Sequence, residues 1–277
     1  MDTYMTRLSL PNVTLCAASD VAIGATLSAM KRCLQHASFH EALFFSSANS
    51  PLSAHDPIRH VPVPPLDSKE AYSRFILADL AQYIQTDFVL IVQWDGFIVD
   101  PTAWDPCFLD FDYIGAPWTN FAPPRNVGNG GFSLRSRRLL EAGMEPWFDI
   151  THPEDLCICQ VNRDALLARN FRIADAETAR RFSREREPAY DGHFGVHGVF
   201  TLAEVMSEKE FELFMQDVEF GVIGPKELLD VIDILNTKNP LMQALDRCYR
   251  ESALRSPHHN SNFKKILNKY FNKLSGI

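Results

Sequence analysis

Residues 88–92 read Phe-Val-Leu-Ile-Val, five apolar residues in a row with no polar alternation. A run of that length, rich in β-branched side chains, predicts a strand buried on both faces at the centre of an α/β sheet. It stops abruptly at Gln93-Trp94-Asp95-Gly96. In open α/β sheets, ligands collect just beyond the carboxyl ends of the strands. A carboxylate at that point, followed by a glycine that permits an unusual turn, suits a metal-bound phosphate. The plainer alternative is that Asp95 only opens an Asp-Gly turn.

The preceding segments supply the rest of such a sheet. Residues 13–17 form an apolar strand ending in Ala18-Ser19-Asp20, residues 21–35 carry a helical pattern, and residues 42–45 form a second strand. This is a β-α-β unit. The tip at Ala18, Ser19 and Asp20 lies beside a helix N-terminus, where backbone N–H groups suit a nucleotide. There is no Gly-x-Gly-x-x-Gly and no Walker motif. Residues 55–67 are a proline-rich connection in which Val61 is a candidate edge strand. Asp67 or Ser68 caps the next helix, with Glu70 in its first turn and Tyr72, Phe75, Ile76, Leu80, Tyr83 and Ile84 as its apolar stripe. Arg74 points off that stripe, toward either a diphosphate or solvent. The predicted class is an open, mostly parallel, twisted α/β sheet flanked by helices.

The 277 residues suffice for one large domain or a domain with an appendage, and the net charge of -8 argues against a nucleic acid held by a broad basic surface. No apolar run approaches the roughly 20 residues of a membrane span, and the first residues lack a secretory pattern. Six scattered cysteines (16, 33, 107, 157, 159 and 248) fit neither a zinc site nor a disulfide framework. They are expected to be reduced, and the chain cytoplasmic.

The second half holds the remaining polar motifs. Residues 112–118 read as a short strand ending in a turn. Asn126 to Arg135 follows, where Gly128, Gly130 and Gly131 let the backbone approach a ligand closely. Phe132-Ser133-Leu134 enters a strand, and Ser136 caps a helix reaching about Gly143. His152-Pro153-Glu154-Asp155 places two adjacent carboxylates at the start of an apolar helix, where they serve as caps or as chemistry. Residues 171–174 read as a short strand and 176–186 as charged and irregular. His193 and His197 then fall in a glycine-punctuated loop. Helices are expected at 228–235, 241–249 and 262–274. The last carries Lys264, Lys265, Lys269 and Lys273 around an apolar face, which suits either packing on the domain or an anionic membrane surface.

Taken in order, Asp95 after the central strand, the turn at 128–131, Glu154-Asp155 and the late His197 resemble GT-A-fold glycosyltransferases, in particular a bacterial and fungal family of formerly unassigned function. The resemblance covers roughly residues 11–200. It implies a GT-A-like catalytic domain over 1–224 with a C-terminal helical extension over 225–277. In such enzymes an Asp-x-Asp follows the central strand, and its last Asp holds a divalent metal on the donor diphosphate. Asp95 matches that position, while Gln93 departs from the first Asp. By the same resemblance Gly130 and Gly131 lie under the donor sugar, Asp155 is the general base with Glu154 beside it, and His197 completes the metal site with Asp95. The donor-binding set is then Ala18, Ser19, Asp20, Arg74, Gln93, Trp94, Asp95, Gly130 and Gly131.

The implied activity is an inverting, metal-dependent transfer of a hexosyl group from a nucleotide-diphosphate sugar to a glycan or glycolipid acceptor, in polysaccharide or lipopolysaccharide synthesis. Mn2+ is the expected ion, with Mg2+ an alternative. A non-catalytic nucleotide-sugar or glycan-binding module is the rival, kept open by Gln93. A nucleotidyltransferase would show a basic, glycine-rich loop near the first strand, and residues 16–24 have none.

Overall fold

The computed structural model describes residues 7–47, 51–216, 218 and 223. The expected helices at 228–235, 241–249 and 262–274, Cys248, and the lysine-flanked face proposed for a membrane surface lie outside these. The chain divides into two compact units, Met1–Gly198 and Val199–Ile277.

In the first unit, β1 (Leu8–Ala18), α1 (Ile23–His36) and β2 (Ala37–Ser46) form the expected β-α-β unit. The edge strand is β3 (Arg59–Pro62), which contains Val61. Ser68 caps α2 (Lys69–Arg74), its hydroxyl accepting from the Ala71 N–H at 3.0 Å. The helix continues through a wide turn over Phe75–Asp79 and a tight one over Leu80–Tyr83. The apolar run becomes β4 (Phe88–Val92), and β5 (Gly96–Ile98) follows after a short turn. Then come β6 (Tyr113–Ile114), β7 (Phe132–Ser136) and α3 (Arg137–Ala142), whose cap Ser136 accepts from the Leu139 N–H at 3.1 Å. This unit also contains α4 (Glu154–Leu156), α5 (Arg163–Leu167), α6 (Ala176–Phe182), β8 (Ser183–Arg184) and β9 (Gly195–His197). The described elements of the second unit are α7 (Val199–Val205) and α8 (Glu208–Gln216). No helix among the described residues is long and apolar enough to cross a membrane.

Six strands make the main sheet in the order β3-β2-β1-β4-β7-β6. The pairs β3-β2, β2-β1 and β1-β4 are parallel, and β7 runs against both of its neighbours. The open, mostly parallel α/β sheet expected from the sequence is therefore the architecture. Residues 89–92 are at most 1% exposed, so burial of each side chain stabilises the sheet by about 1.5–3 kcal/mol. One core layer joins Leu43, Phe45, Val89 and Ile91 to Phe75, Ile76 and Leu80, the predicted stripe.

Three expectations need correction. Residues 176–186 are not irregular but form α6 and β8, with Asp175 capping α6 through the Thr178 N–H at 2.9 Å. The loop expected around His197 is in part a strand, β9. It joins β5 and β8 in a second sheet of order β5-β9-β8. Residues 171–174 make only a single bridge, Ile173 to Tyr113. Strands of two or three residues are too short to show a period, which is why this sheet was not visible in the sequence. A cluster of Phe108, Phe132, Phe182 and Phe194, with ring centroids 5.2 to 6.5 Å apart, fastens it to β7.

Candidate active site

Antiparallel pairing of β4 with β7 sets Val92 opposite Phe132. The chain leaving β4 therefore runs beside the chain entering β7. Gln93 donates its N–H to the Gly131 carbonyl at 2.8 Å, which locks the two segments together. β1 is parallel to β4 with Cys16 opposite Ile91, so Ala18 and Ser19 emerge on the same end of the sheet. Four of the predicted groups thus meet by strand register alone: the β1 tip, residues 93–95, the glycine turn and, through the second sheet, His197.

In that second sheet β9 runs against β5 with His197 opposite Gly96, and the Gly198 N–H donates to the Asp95 carbonyl at 3.0 Å. Asp95 Oδ1 consequently stands 3.2 Å from His197 Nε2. Neither atom has a well-directed hydrogen bond, although both are buried. Such atoms normally find partners. Burial disfavours a charged His197 ring, but Asp95 and Glu185 outweigh it and hold the ring well above the usual histidine range. Gly131 closes the site from one side, since a Cβ there would lie 1.9 Å from His197 Nε2. His193 is elsewhere: it packs edge-on against Tyr190 at 5.2 Å, and burial followed by Arg184 pushes its pKa down. The histidine beside Asp95 is therefore His197.

On the other side of the turn sit the two carboxylates. Glu154 is buried and paired with the wholly buried Arg135, Nη2 to Oε1 at 3.2 Å. Asp155 is partly exposed and accepts from the Gly130 N–H at 3.3 Å and the Leu156 N–H at 2.8 Å. Burial, and then the charge of Glu154, push the Asp155 carboxyl up to about 6. One of the adjacent acids is committed to an internal ion pair, and the other is half-buried with raised basicity. The loop before them is tied to α2 by Ser73, whose hydroxyl lies 2.8 Å from His152 Nδ1.

The other predicted donor residues differ in how free they are. Both carboxylate oxygens of Asp20 are engaged, taking Ser46 and Ser47 hydroxyls at 3.0 and 2.7 Å and the Ser47 and Leu66 N–H groups at 2.6 Å. Asp20 thus braces the loops beside the β1 tip. Gln93 donates its side-chain amide to the Tyr72 hydroxyl at 3.0 Å. Trp94 is half-buried and Arg74 is exposed on α2. Sequence reasoning missed Arg135, Tyr72 and Glu185. An arginine inside a five-residue strand was the available signal for the first, because a buried charge needs a partner.

Among the described residues no three His, Cys, Asp or Glu side chains form a closed metal cage. Asp95 and His197 together offer one carboxylate oxygen and one imidazole nitrogen, 3.2 Å apart without a well-directed hydrogen bond, on one side of a cradle that a Cβ would fill. That donor set fits an ion such as Mn2+ with the remaining positions left to a ligand.

The cluster lies at the carboxyl end of the central strand of an open α/β sheet. Residues 55–197 match the family described as Protein of unknown function (DUF5672), more than half of the chain, and the protein belongs to that family. No curated protein matches it. Among solved structures it is similar to a mannosyltransferase from Pyrobaculum calidifontis in complex with GDP-Man and Mn2+, with a TM-score of 0.44 and 10% identity over 88% of this chain and 70% of that one. It is also similar to a glycosyltransferase involved in the glycosylation of the major capsid of PBCV-1, with a TM-score of 0.38 and 13% identity over 68% of this chain and 92% of that one.

Proposed function

We propose that the protein is an inverting glycosyltransferase of GT-A type that uses a nucleotide-diphosphate sugar, with a divalent cation held at Asp95 and His197 and Asp155 as general base. The observation that carries this reading is the buried pair Asp95 Oδ1 and His197 Nε2, 3.2 Å apart without a well-directed hydrogen bond, lying across one glycine turn from a partly exposed carboxyl of raised pKa. A bound divalent cation would neutralise the charge that develops on the departing diphosphate. The chain's own residues do the rest. Asp155 takes the proton from an acceptor hydroxyl as that oxygen attacks the anomeric carbon. Attack from the face opposite the diphosphate breaks the bond to the phosphate oxygen and inverts the centre, by the displacement logic of glycoside chemistry. The ion pair with Arg135 keeps Glu154 out of competition for the proton.

Gln93 supports the rival reading of a binding module, since its amide is bonded to Tyr72 and brings no charge to the cation. Both readings are tested by incubating the protein with UDP-, GDP- and dTDP-sugars plus Mn2+, then following release of the nucleoside diphosphate with and without EDTA. EDTA-sensitive release supports the transferase. Mn2+-dependent binding of a donor with no release, even with a panel of glycan acceptors, establishes the module instead.

A further inference from the structure

Parallel pairing of β8 with β9 sets Ser183 opposite Gly195 and Arg184 opposite Val196. Continuing that register by one residue brings Glu185 alongside His197. Its Oε1 stands 3.6 Å from His197 Nδ1, and its side chain is 14% exposed. The other oxygen, Oε2, accepts a short hydrogen bond from the Asn129 amide. Asn129 sits in the left-handed region at φ 65°, and its Oδ1 takes the Gly131 N–H at 3.1 Å. Gly131 in turn lies against His197 Nε2. The four residues therefore form a closed circuit: Glu185 to Asn129, Asn129 to Gly131, Gly131 to His197, and His197 back to Glu185.

From this circuit we infer that Glu185 is a positioning residue, which fixes the His197 ring with Nδ1 toward itself and Nε2 toward Asp95. A histidine that binds a metal through one nitrogen commonly presents the other N–H to a carboxylate, and that partner sets tautomer and ring orientation. Glu185 is the carboxylate nearest Nδ1, at 3.6 Å and without a well-directed hydrogen bond to it, while Asn129 holds its other oxygen and restrains it from swinging away. In this role it rests on the proposed cation site, but its place beside Nδ1 does not depend on the ion.

The test measures two things. Mn2+ affinity is read by calorimetry in the presence of GDP and, separately, UDP, for the parent and for Glu185→Ala, Glu185→Gln, Asn129→Gly, Asp95→Ala and His197→Ala. Ring orientation of His197 is read from crystal structures of the metal-free parent and Glu185 variants. Glu185→Ala should weaken Mn2+ roughly 10- to 100-fold and release the ring from its single orientation. Glu185→Gln, which can keep Asn129 but offers Nδ1 no carboxylate, guards against a folding defect and should show the same sense of change. Asn129→Gly, which tolerates the positive φ, should weaken Mn2+ less than Glu185→Ala. Unchanged affinity and ring in both Glu185 variants overturn the inference. So does an equal loss in Asn129→Gly with the ring unmoved, which would place the effect in the glycine turn. If Asp95→Ala and His197→Ala leave Mn2+ binding intact, the cation site itself fails, and the ring orientation in metal-free Glu185→Ala alone decides the role of Glu185.

Discussion

Arg135 and Glu154 form an ion pair at 3.2 Å in which the arginine side chain is wholly buried and the glutamate 6% exposed. The guanidinium stands 5.3 Å over the Tyr113 ring and donates Nε–H to the Ser133 hydroxyl at 3.1 Å, while its Nη1 finds no protein partner. Removing one member of such a pair strands the other charge in an apolar setting. Glu154→Ala should therefore cost about 3–5 kcal/mol of folding stability, read from urea unfolding with the slope unchanged. A loss below about 1 kcal/mol, the size of an ordinary surface change, would show that Arg135 is not dependent on this partner.

Asp155→Asn should separate from that result. The residue is partly exposed and makes no ion pair, so the variant should unfold close to the parent midpoint and retain donor binding. Transfer should fall roughly 10²–10⁴-fold, the usual worth of a general base. If Asp155→Asn turns over near the parent rate while the folded Glu154→Gln does not, the two roles are exchanged.

The pH profile follows from the same carboxyl. A base works in its ionised form, and burial followed by the charge of Glu154 pushes the Asp155 pKa up to about 6. Turnover should be full above that value and fall as pH drops through it. Glu154→Gln removes a neighbouring negative charge, which favours ionisation of Asp155, so the acid limb should move to lower pH. A limb that stays in place, or moves upward, would mean that another group controls the rate.

How much of this was legible in the sequence depends on element length. The run at 88–92 marks the central strand because five consecutive apolar residues admit few alternatives. The cap candidates, Asp67 or Ser68 and then Ser136, mark two helix starts through side-chain chemistry, the structure choosing Ser68 for the first. Asp95, His197 and Asp155 were legible as a set only through the family resemblance; none has a local pattern that separates a functional residue from a turn or cap. The circuit of Glu185 and Asn129 was not legible at all. It depends on the register of β8, a strand of two residues, and on a left-handed asparagine, and neither leaves a periodic trace.

The proposed cation site predicts a dependence on the diphosphate. Two protein ligands are fewer than a hard divalent ion takes, which leaves positions for phosphate oxygens and water. Mn2+ alone should bind weakly, and GDP or UDP should each raise its affinity, with the same coupling seen from the nucleotide's side. Asp95→Ala should abolish that coupling in a calorimetric titration. Tight Mn2+ binding by the parent without nucleotide would require further protein ligands.

The last test uses the two glycines, which stand back to back between the cation pair and the acid pair. A Cβ on Gly131 would lie 1.9 Å from His197 Nε2 and 2.3 Å from its Cδ2, whereas one on Gly130 would lie 1.8 Å from Glu154 Oε1. Gly131→Ala must therefore displace the imidazole from Asp95, and Gly130→Ala must displace the glutamate from Arg135. Both overpack a closed site, at a cost of about 1–3 kcal/mol, so stability alone will not distinguish them. Their functional losses should. Gly131→Ala should lose Mn2+-dependent nucleotide binding and, with it, turnover. Gly130→Ala should bind Mn2+ with GDP or UDP near the parent affinity yet turn over slowly, because the N–H that bonds Asp155 moves with the turn. Calorimetry and a product assay on each variant give four readings. The same pattern of loss in both variants would mean that the turn collapses as one body and that the two halves of the site are not separable by these substitutions.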